Sequence, residues 1–85
     1  MSYRVVVARS AERELQALSA DARRRVGMAL LRLEADPRPH GVRKLAQGPG
    51  WRLRVGEYRV LFTVDDDARL VTVYAVGHRR DIYRG

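Results

Sequence analysis

Three arginines in the second half of the chain are spaced so that they could share one face of a β-sheet. Side chains alternate between the two faces of a strand, so Arg52 and Arg54 fall on one face of segment 51–55 and its apolar residues on the other. In segment 58–64, Arg59 lies on the face opposite to the valines and the phenylalanine. A guanidinium stays charged and matches phosphate or carboxylate oxygens with a planar fork. This spacing therefore favours binding of a polyanion.

The charge of the whole chain points in the same direction. Its 85 residues, which we take as a single domain spanning residues 1–85, include 17 Lys and Arg against 10 Asp and Glu, for a net charge of +7 and a pI of about 11.0. Such an excess predicts attraction to nucleic acid or to an acidic partner protein.

Composition also excludes several classes of protein. There is no cysteine, which excludes disulfides and thiolate metal sites and is typical of a reducing compartment. No apolar run approaches the roughly 20 residues of a membrane helix, and the first residues do not form a signal peptide, so we expect a cytoplasmic protein. Phosphate-cradling glycine motifs, nucleophile elbows and metal-ligand spacings are missing, and we expect no cofactor and no metal.

The first half of the chain reads as a strand and two helices that could support the arginines. Residues 3–8 are rich in valine and predict a strand. Ser10 is a candidate N-cap for a helix through Leu18, and Ser19 for a second helix to about Ala35. In the second helix Val26, Leu30 and Leu33, flanked by Met28 and Leu31, form an apolar stripe.

The second half predicts a loop and three strands. Residues 40–50 carry glycine and proline and read as a loop, followed by strands at 51–55 and 58–64 and a nearly continuous apolar strand at 70–76, closed by Gly77. The predicted fold class is α+β with the order β-α-α-β-β-β: a small, twisted, mostly antiparallel sheet with an antiparallel helix pair packed on one face.

Two segments give the chain a resemblance to a known family. Leu-Arg-Val-Gly-Glu-Tyr-Arg-Val-Leu-Phe at 53–62 and Val-Gly-His-Arg-Arg-Asp-Ile-Tyr-Arg at 76–84, with an Asp-Pro-Arg-Pro loop leading to Lys44-Leu45, resemble the RelE/ParE toxin superfamily of bacterial toxin-antitoxin systems. This resemblance implies either a ribosome-dependent endoribonuclease that cuts mRNA or a toxin that inhibits DNA gyrase without nuclease chemistry. Both would act with a neutralising antitoxin.

The nuclease branch implies a set of site residues. Metal-independent cleavage of RNA needs a 2′-hydroxyl deprotonated, the charge on the phosphorane stabilised and the 5′-oxygen protonated. The positions matching the pattern of RelE-type nucleases, together with the nearby histidine, are Lys44, Arg52, Arg54, Arg59, His78, Arg79 and Tyr83. We expect Arg59 and Arg79 to clamp the scissile phosphate and Tyr83 to stack on a base.

The identity of the general base stays open at this level. Arginine is a poor proton acceptor, so the candidates are Lys44, His78 and Glu57, and His78 could instead be the acid that protonates the leaving oxygen. By contrast, a basic strand face is often only the solvated face of a sheet.

The leading hypothesis is an mRNA interferase, with mRNA in the ribosomal A site, ribosomal RNA and an acidic antitoxin as partners. The alternatives are a gyrase inhibitor and a basic nucleic-acid-binding module without catalysis.

Overall fold

A computed structural model describes residues 2–80, so Tyr83 lies outside the described residues. The elements follow one another as β1 (Arg4–Val7), α1 (Arg9–Gln16), α2 (Ala20–Ala35), β2 (Arg43–Lys44), β3 (Trp51–Val55), β4 (Tyr58–Asp65) and β5 (Leu70–His78). The predicted α+β class is confirmed: two helices pack on one face of a mostly antiparallel sheet. No helix among residues 2–80 has both the length and the apolar character needed to span a membrane.

The sheet has five strands in the order β1-β5-β4-β3-β2. β1 runs parallel to β5, and the other neighbours are antiparallel. The apolar strand β5 lies inside the sheet, as its nearly continuous hydrophobic run predicted. It does not end at Gly77, as we predicted, because Tyr58 pairs with His78 and extends the ladder by one residue.

The two helices begin differently. Ser19 caps α2 as predicted, because its hydroxyl accepts a hydrogen bond from the Ala22 amide at 3.2 Å. The prediction that Ser10 caps α1 is wrong: the residue before the helix is Ala8, which has no capping side chain. The Ala8 amide still donates to the Val73 carbonyl of β5, so the chain leaves the sheet and enters the helix within one residue.

The core lies between the helices and the sheet. α1 packs on β5, while α2 packs on β1 and β3. Val26 and Leu33 of α2 and Phe62 of β4 are fully buried there. Met28 and Leu31 are 58% and 63% exposed, so the prediction that they flank the buried stripe is wrong. The other buried positions of α2 are instead alanines, Ala22 and Ala29.

The segment predicted as a loop at 40–50 contains the short strand β2 and a tight turn back to β3. The Leu45 amide donates to the Gly50 carbonyl at 3.0 Å, and the Tyr74 hydroxyl donates to the Pro49 carbonyl at 2.7 Å. Gly50 has a φ of 93°, and a Cβ there would lie 2.1 Å from the Phe62 carbonyl oxygen. Only glycine fits this approach, and the loop is therefore fixed to β4 and β5.

A polar network joins the residue before β1 and the loop after α2 to the turn after β4. The hydroxyl of Tyr3 and the guanidinium of Arg38 both donate to Asp66 Oδ1, at 2.5 Å and 2.8 Å. These donors, the Tyr3 hydroxyl first, lower the pKa of Asp66 below its usual range. The same contact raises the pKa of Tyr3, because its proton is shared with a carboxylate.

Candidate nucleic-acid interface

Four arginines lie on the sheet face opposite to the helices, which we call the open face. In the antiparallel register Arg54 is directly opposite Arg59, and Arg52 is opposite Leu61 on the same face. This is the placement that alternation along the two strands predicted. The register also puts Arg43 of β2 directly opposite Arg52. We refer to Arg43, Arg52, Arg54 and Arg59 as the open-face arginine row.

Sequence reasoning missed Arg43 as a member of this row. It was assigned to a loop, because a strand of two residues leaves no alternating pattern to detect. Only its position just before Lys44, and the return of the chain at Gly50, hinted that the segment could pair with the next strand.

The open-face arginine row has no acidic partner within residues 2–80. The ion pairs of the described chain involve Arg24, Arg25, Arg38, His78 and Arg79, and none reaches a member of the row. Like charges placed directly opposite each other, as at Arg54 and Arg59, destabilise a sheet. No ion pair among residues 2–80 offsets this repulsion. A bound anionic ligand would offset it.

Arg59 is the most unusual member of the row. The residue is only 8% exposed, and its Nε and Nη1 atoms are buried without a hydrogen-bond partner among the described residues. A buried N–H group without an acceptor costs about 1–3 kcal/mol. The fold therefore holds two buried donors of Arg59 without a partner among residues 2–80, directly opposite Arg54.

A cluster of charged and polar side chains lies at the end of the sheet where β3 turns into β4. Glu57, in the two-residue turn between β3 and β4, has its Oε2 atom 3.7 Å from His78 Nε2 and 3.6 Å from Arg79 Nε. The Arg79 amide donates to the Glu57 carbonyl at 2.9 Å, which fixes the end of β5 to this turn. Since His78 pairs with Tyr58, its side chain lies on the face of Tyr58 and the core residue Val76, opposite to the face of Arg59.

The orientation of the His78 ring is set by two contacts. Its Nδ1 accepts a hydrogen bond from the Arg80 amide at 3.2 Å, so the neutral ring carries its proton on Nε2, the nitrogen that faces Glu57. The ring also meets Tyr58 edge to face, with centroids 5.8 Å apart.

Lys44 lies apart from the open-face arginine row. It pairs with Trp51, whose side chain packs against the core, and its Nζ is 5.1 Å from the centre of the indole ring. Arg38 approaches the same ring at 5.5 Å, so Trp51 contacts two cations. Lys44 and Arg52, which the sequence pattern grouped together, thus leave the sheet on different faces and meet only at its edge.

The site as described suits phosphate binding and proton transfer. Arg52, Arg54 and Arg59 are brought together on the open face, whereas His78 and Arg79 contact Glu57 at the turn between β3 and β4. Tyr83, the remaining residue of the predicted set, lies outside the described residues. Within residues 2–80 there is no group of three or more acidic, histidine or cysteine side chains that could hold a metal ion.

The fold has been seen before in solved toxin structures. The chain is similar to a chain of the toxin-antitoxin complex RelBE2 from Mycobacterium tuberculosis, with 26% identity and a TM-score of 0.83 over 93% of this chain and 100% of that one. It is similar to one in the archaeal RelE-RelB complex from Pyrococcus horikoshii OT3, with 27% identity and a TM-score of 0.81 over the full length of both. It is also similar to a chain of the intact E. coli RelBE toxin-antitoxin complex, with 26% identity and a TM-score of 0.76 over 91% of this chain and 96% of that one.

Sequence comparison agrees with the structural likeness. No curated protein matches the chain significantly. A family model described as the ParE toxin of the type II toxin-antitoxin system parDE matches residues 5–83, nearly the whole chain. The chain therefore belongs to the RelE/ParE superfamily of toxins from type II toxin-antitoxin systems.

Proposed function

We propose that this toxin is a ribosome-dependent mRNA interferase, an endoribonuclease that cleaves mRNA in the ribosomal A site and so stops translation. The observation that carries the proposal is the open-face arginine row, in which Arg54 lies directly opposite Arg59 and no member has an acidic partner among residues 2–80. A nuclease gains a preorganised site for the charge that develops on the scissile phosphate.

The reaction is an internal transfer at phosphorus. The 2′-oxygen forms a bond to phosphorus while the bond from phosphorus to the 5′-oxygen breaks, which leaves a 2′,3′-cyclic phosphate and a 5′-hydroxyl. Arg54 and Arg59, with Arg79 at the edge, hold the non-bridging oxygens through charge-assisted hydrogen bonds. No metal takes part in this scheme.

Proton transfer is assigned to Glu57 and His78. The carboxylate of Glu57, 63% exposed, takes the proton of the 2′-hydroxyl, and His78 in its charged form gives one to the 5′-oxygen. Lys44 was an alternative base, but it pairs with Trp51 at the start of β3, whereas Glu57 follows the end of that strand. We therefore assign it to binding of the RNA and not to proton transfer. For Tyr83 the proposed role remains stacking on a base.

A cognate antitoxin would neutralise the toxin. The similar RelE chains from Mycobacterium tuberculosis and Pyrococcus horikoshii were crystallised as complexes with an antitoxin or RelB. For this chain we propose an acidic antitoxin whose carboxylates cover the open-face arginine row and so exclude RNA.

The test is cleavage of mRNA on purified ribosomes, followed by mapping of the new 5′ ends. Removing one preorganised donor to an oxyanion typically costs 10²–10³ in rate, so Arg59→Ala should cleave at least about 100-fold more slowly than the parent. The matched control is Arg24→Ala on α2, whose side chain is 70% exposed and paired with Asp21, and which should cleave at the parental rate. Equal rates for the parent and Arg59→Ala would contradict the proposal.

Inhibition of DNA gyrase is the second candidate, since the matching family model is described as the ParE toxin. The same purified protein can be added to a gyrase supercoiling assay. Loss of supercoiling without cuts in ribosome-bound mRNA would establish the second function in place of the first. If neither activity is observed and growth is unaffected by expression, the chain would be a basic binding module.

A further inference from the structure

A surface hollow of about 450 Å³ lies beside the open-face arginine row and has no part in the chemistry described above. It is lined by Lys44, Leu45, Ala46, Gln47 and Arg52. These residues come from the end of β2, the loop that follows and the start of β3. The hollow therefore occupies the edge of the sheet, where side chains from both faces border it.

The loop that forms the hollow is held in place at several points. The Leu45 amide bonds to the Gly50 carbonyl, the Pro49 carbonyl accepts from Tyr74, and Gly50 lies directly against the backbone of Phe62. A loop fixed in this way keeps its shape when a ligand enters and loses little entropy on binding. This distinguishes the hollow from the transient concavities of a mobile surface loop.

The lining has the chemistry of a nucleotide site. Lys44 and Arg52 supply two positive charges, and no acidic residue lines the hollow. Leu45 and Ala46 offer apolar surface against which a base can pack. Gln47 carries both a donor and an acceptor on one amide, the combination that pairs with the edge of a base.

The position of the hollow fits one occupant. Arg52 belongs both to the hollow and to the open-face arginine row, so an RNA backbone held along the row passes directly into the hollow. We propose that the hollow binds the base and phosphate of a nucleotide next to the cleaved bond, and that Gln47 selects that base. This inference rests on the proposed nuclease function, and it adds a determinant of sequence preference to it.

The experiment compares the cut sites of the parent and Gln47→Ala on ribosome-bound mRNAs that differ at single codon positions. Loss of the amide should change the ratio of cutting between bases at one position by about 10-fold, the scale of one base-edge contact, while cutting of the least preferred sequence stays the same. Gln16→Ala is the matched control: Gln16 is also exposed but lies at the end of α1, and this variant should keep the parental cut profile.

The two proposals fail in different ways. If the parent cleaves and Gln47→Ala keeps the same cut profile, the nucleotide site is wrong and the nuclease function stands. If Gln47→Ala lowers the rate at all sequences equally, the residue does not select a base, and the inference is likewise overturned. If the parent does not cleave, both proposals are overturned.

Discussion

Replacing Arg59 by methionine should stabilise the free protein while it removes cleavage. Methionine keeps the length of the apolar stem and removes the two buried nitrogen donors, Nε and Nη1, that have no acceptor among the described residues. Each such group costs about 1–3 kcal/mol. The residue is still 8% exposed and methionine will not pack perfectly, so the full penalty of both donors is not recovered. We expect the free energy of unfolding to rise by about 2 kcal/mol.

Thermal and urea unfolding measure this gain directly. In a domain of 85 residues, 1 kcal/mol shifts the melting temperature by about 4–8 °C, so Arg59→Met should melt roughly 8–16 °C higher. Arg24→Met, which changes an exposed arginine of α2, should stay within about 0.5 kcal/mol of the parent. A fall in stability of more than about 1 kcal/mol for Arg59→Met would refute the reasoning, because it would mean that the guanidinium is satisfied in the folded protein.

An anion provides the complementary measurement. A ligand that binds only the folded state at ten times its dissociation constant adds about 1.4 kcal/mol of stability. Phosphate should therefore raise the unfolding midpoint of the parent more than chloride at the same ionic strength, and this difference should disappear in Arg59→Met. An equal effect of phosphate on both proteins would show that it does not bind at Arg59.

Three further predictions concern the scaffold and the partner. Gly50→Ala should destabilise the fold by about 3 kcal/mol or more in urea unfolding, because its Cβ would meet the Phe62 carbonyl oxygen, whereas Gly48→Ala, also at positive φ but in open space, should cost about 1 kcal/mol. Because folding lowers the pKa of Asp66, its ionised carboxylate stabilises the fold above the unfolded pKa of about 3.9, and this stabilisation is lost as the pH falls through the folded pKa. Asp66→Asn should therefore be less stable than the parent at neutral pH and lose less stability on acidification below about pH 4. Binding of an acidic antitoxin should weaken as salt rises from about 0.1 M to about 1 M, since the Debye length falls from about 10 to about 3 Å, and a salt-independent affinity would contradict a complex held by the open-face arginines.

The strands could be predicted from the sequence because alternation with period two is a strong local signal. It placed Arg52 and Arg54 on one face without knowledge of the partner strand. It could not give the register, which depends on the tight turn at Gly56 and Glu57 and on the bulge between Leu61 and Phe62.

Neither the burial of Arg59 nor the two-residue strand β2 could be predicted from the sequence pattern. Arg59 reads as an exposed polar position, and only the assembled sheet shows that it is buried. The two-residue strand β2 has too few residues for any periodicity, so Lys44 was grouped with Arg52 and the true neighbour, Arg43, was overlooked. Ser10 failed as a cap because the end of β1 leads directly into α1, a constraint set by tertiary pairing and not by local propensity.

The most direct test of the central claim is the chemistry of the cut itself. An mRNA carrying a 2′-deoxynucleotide immediately before the cleaved bond is compared with the unmodified mRNA on the same ribosomes, and the ends of the products are identified. The account predicts cleavage only of the unmodified mRNA, with a 2′,3′-cyclic phosphate on one fragment and a 5′-hydroxyl on the other. Cleavage of the deoxy-substituted message at a similar rate, or intact mRNA with both substrates, would contradict it.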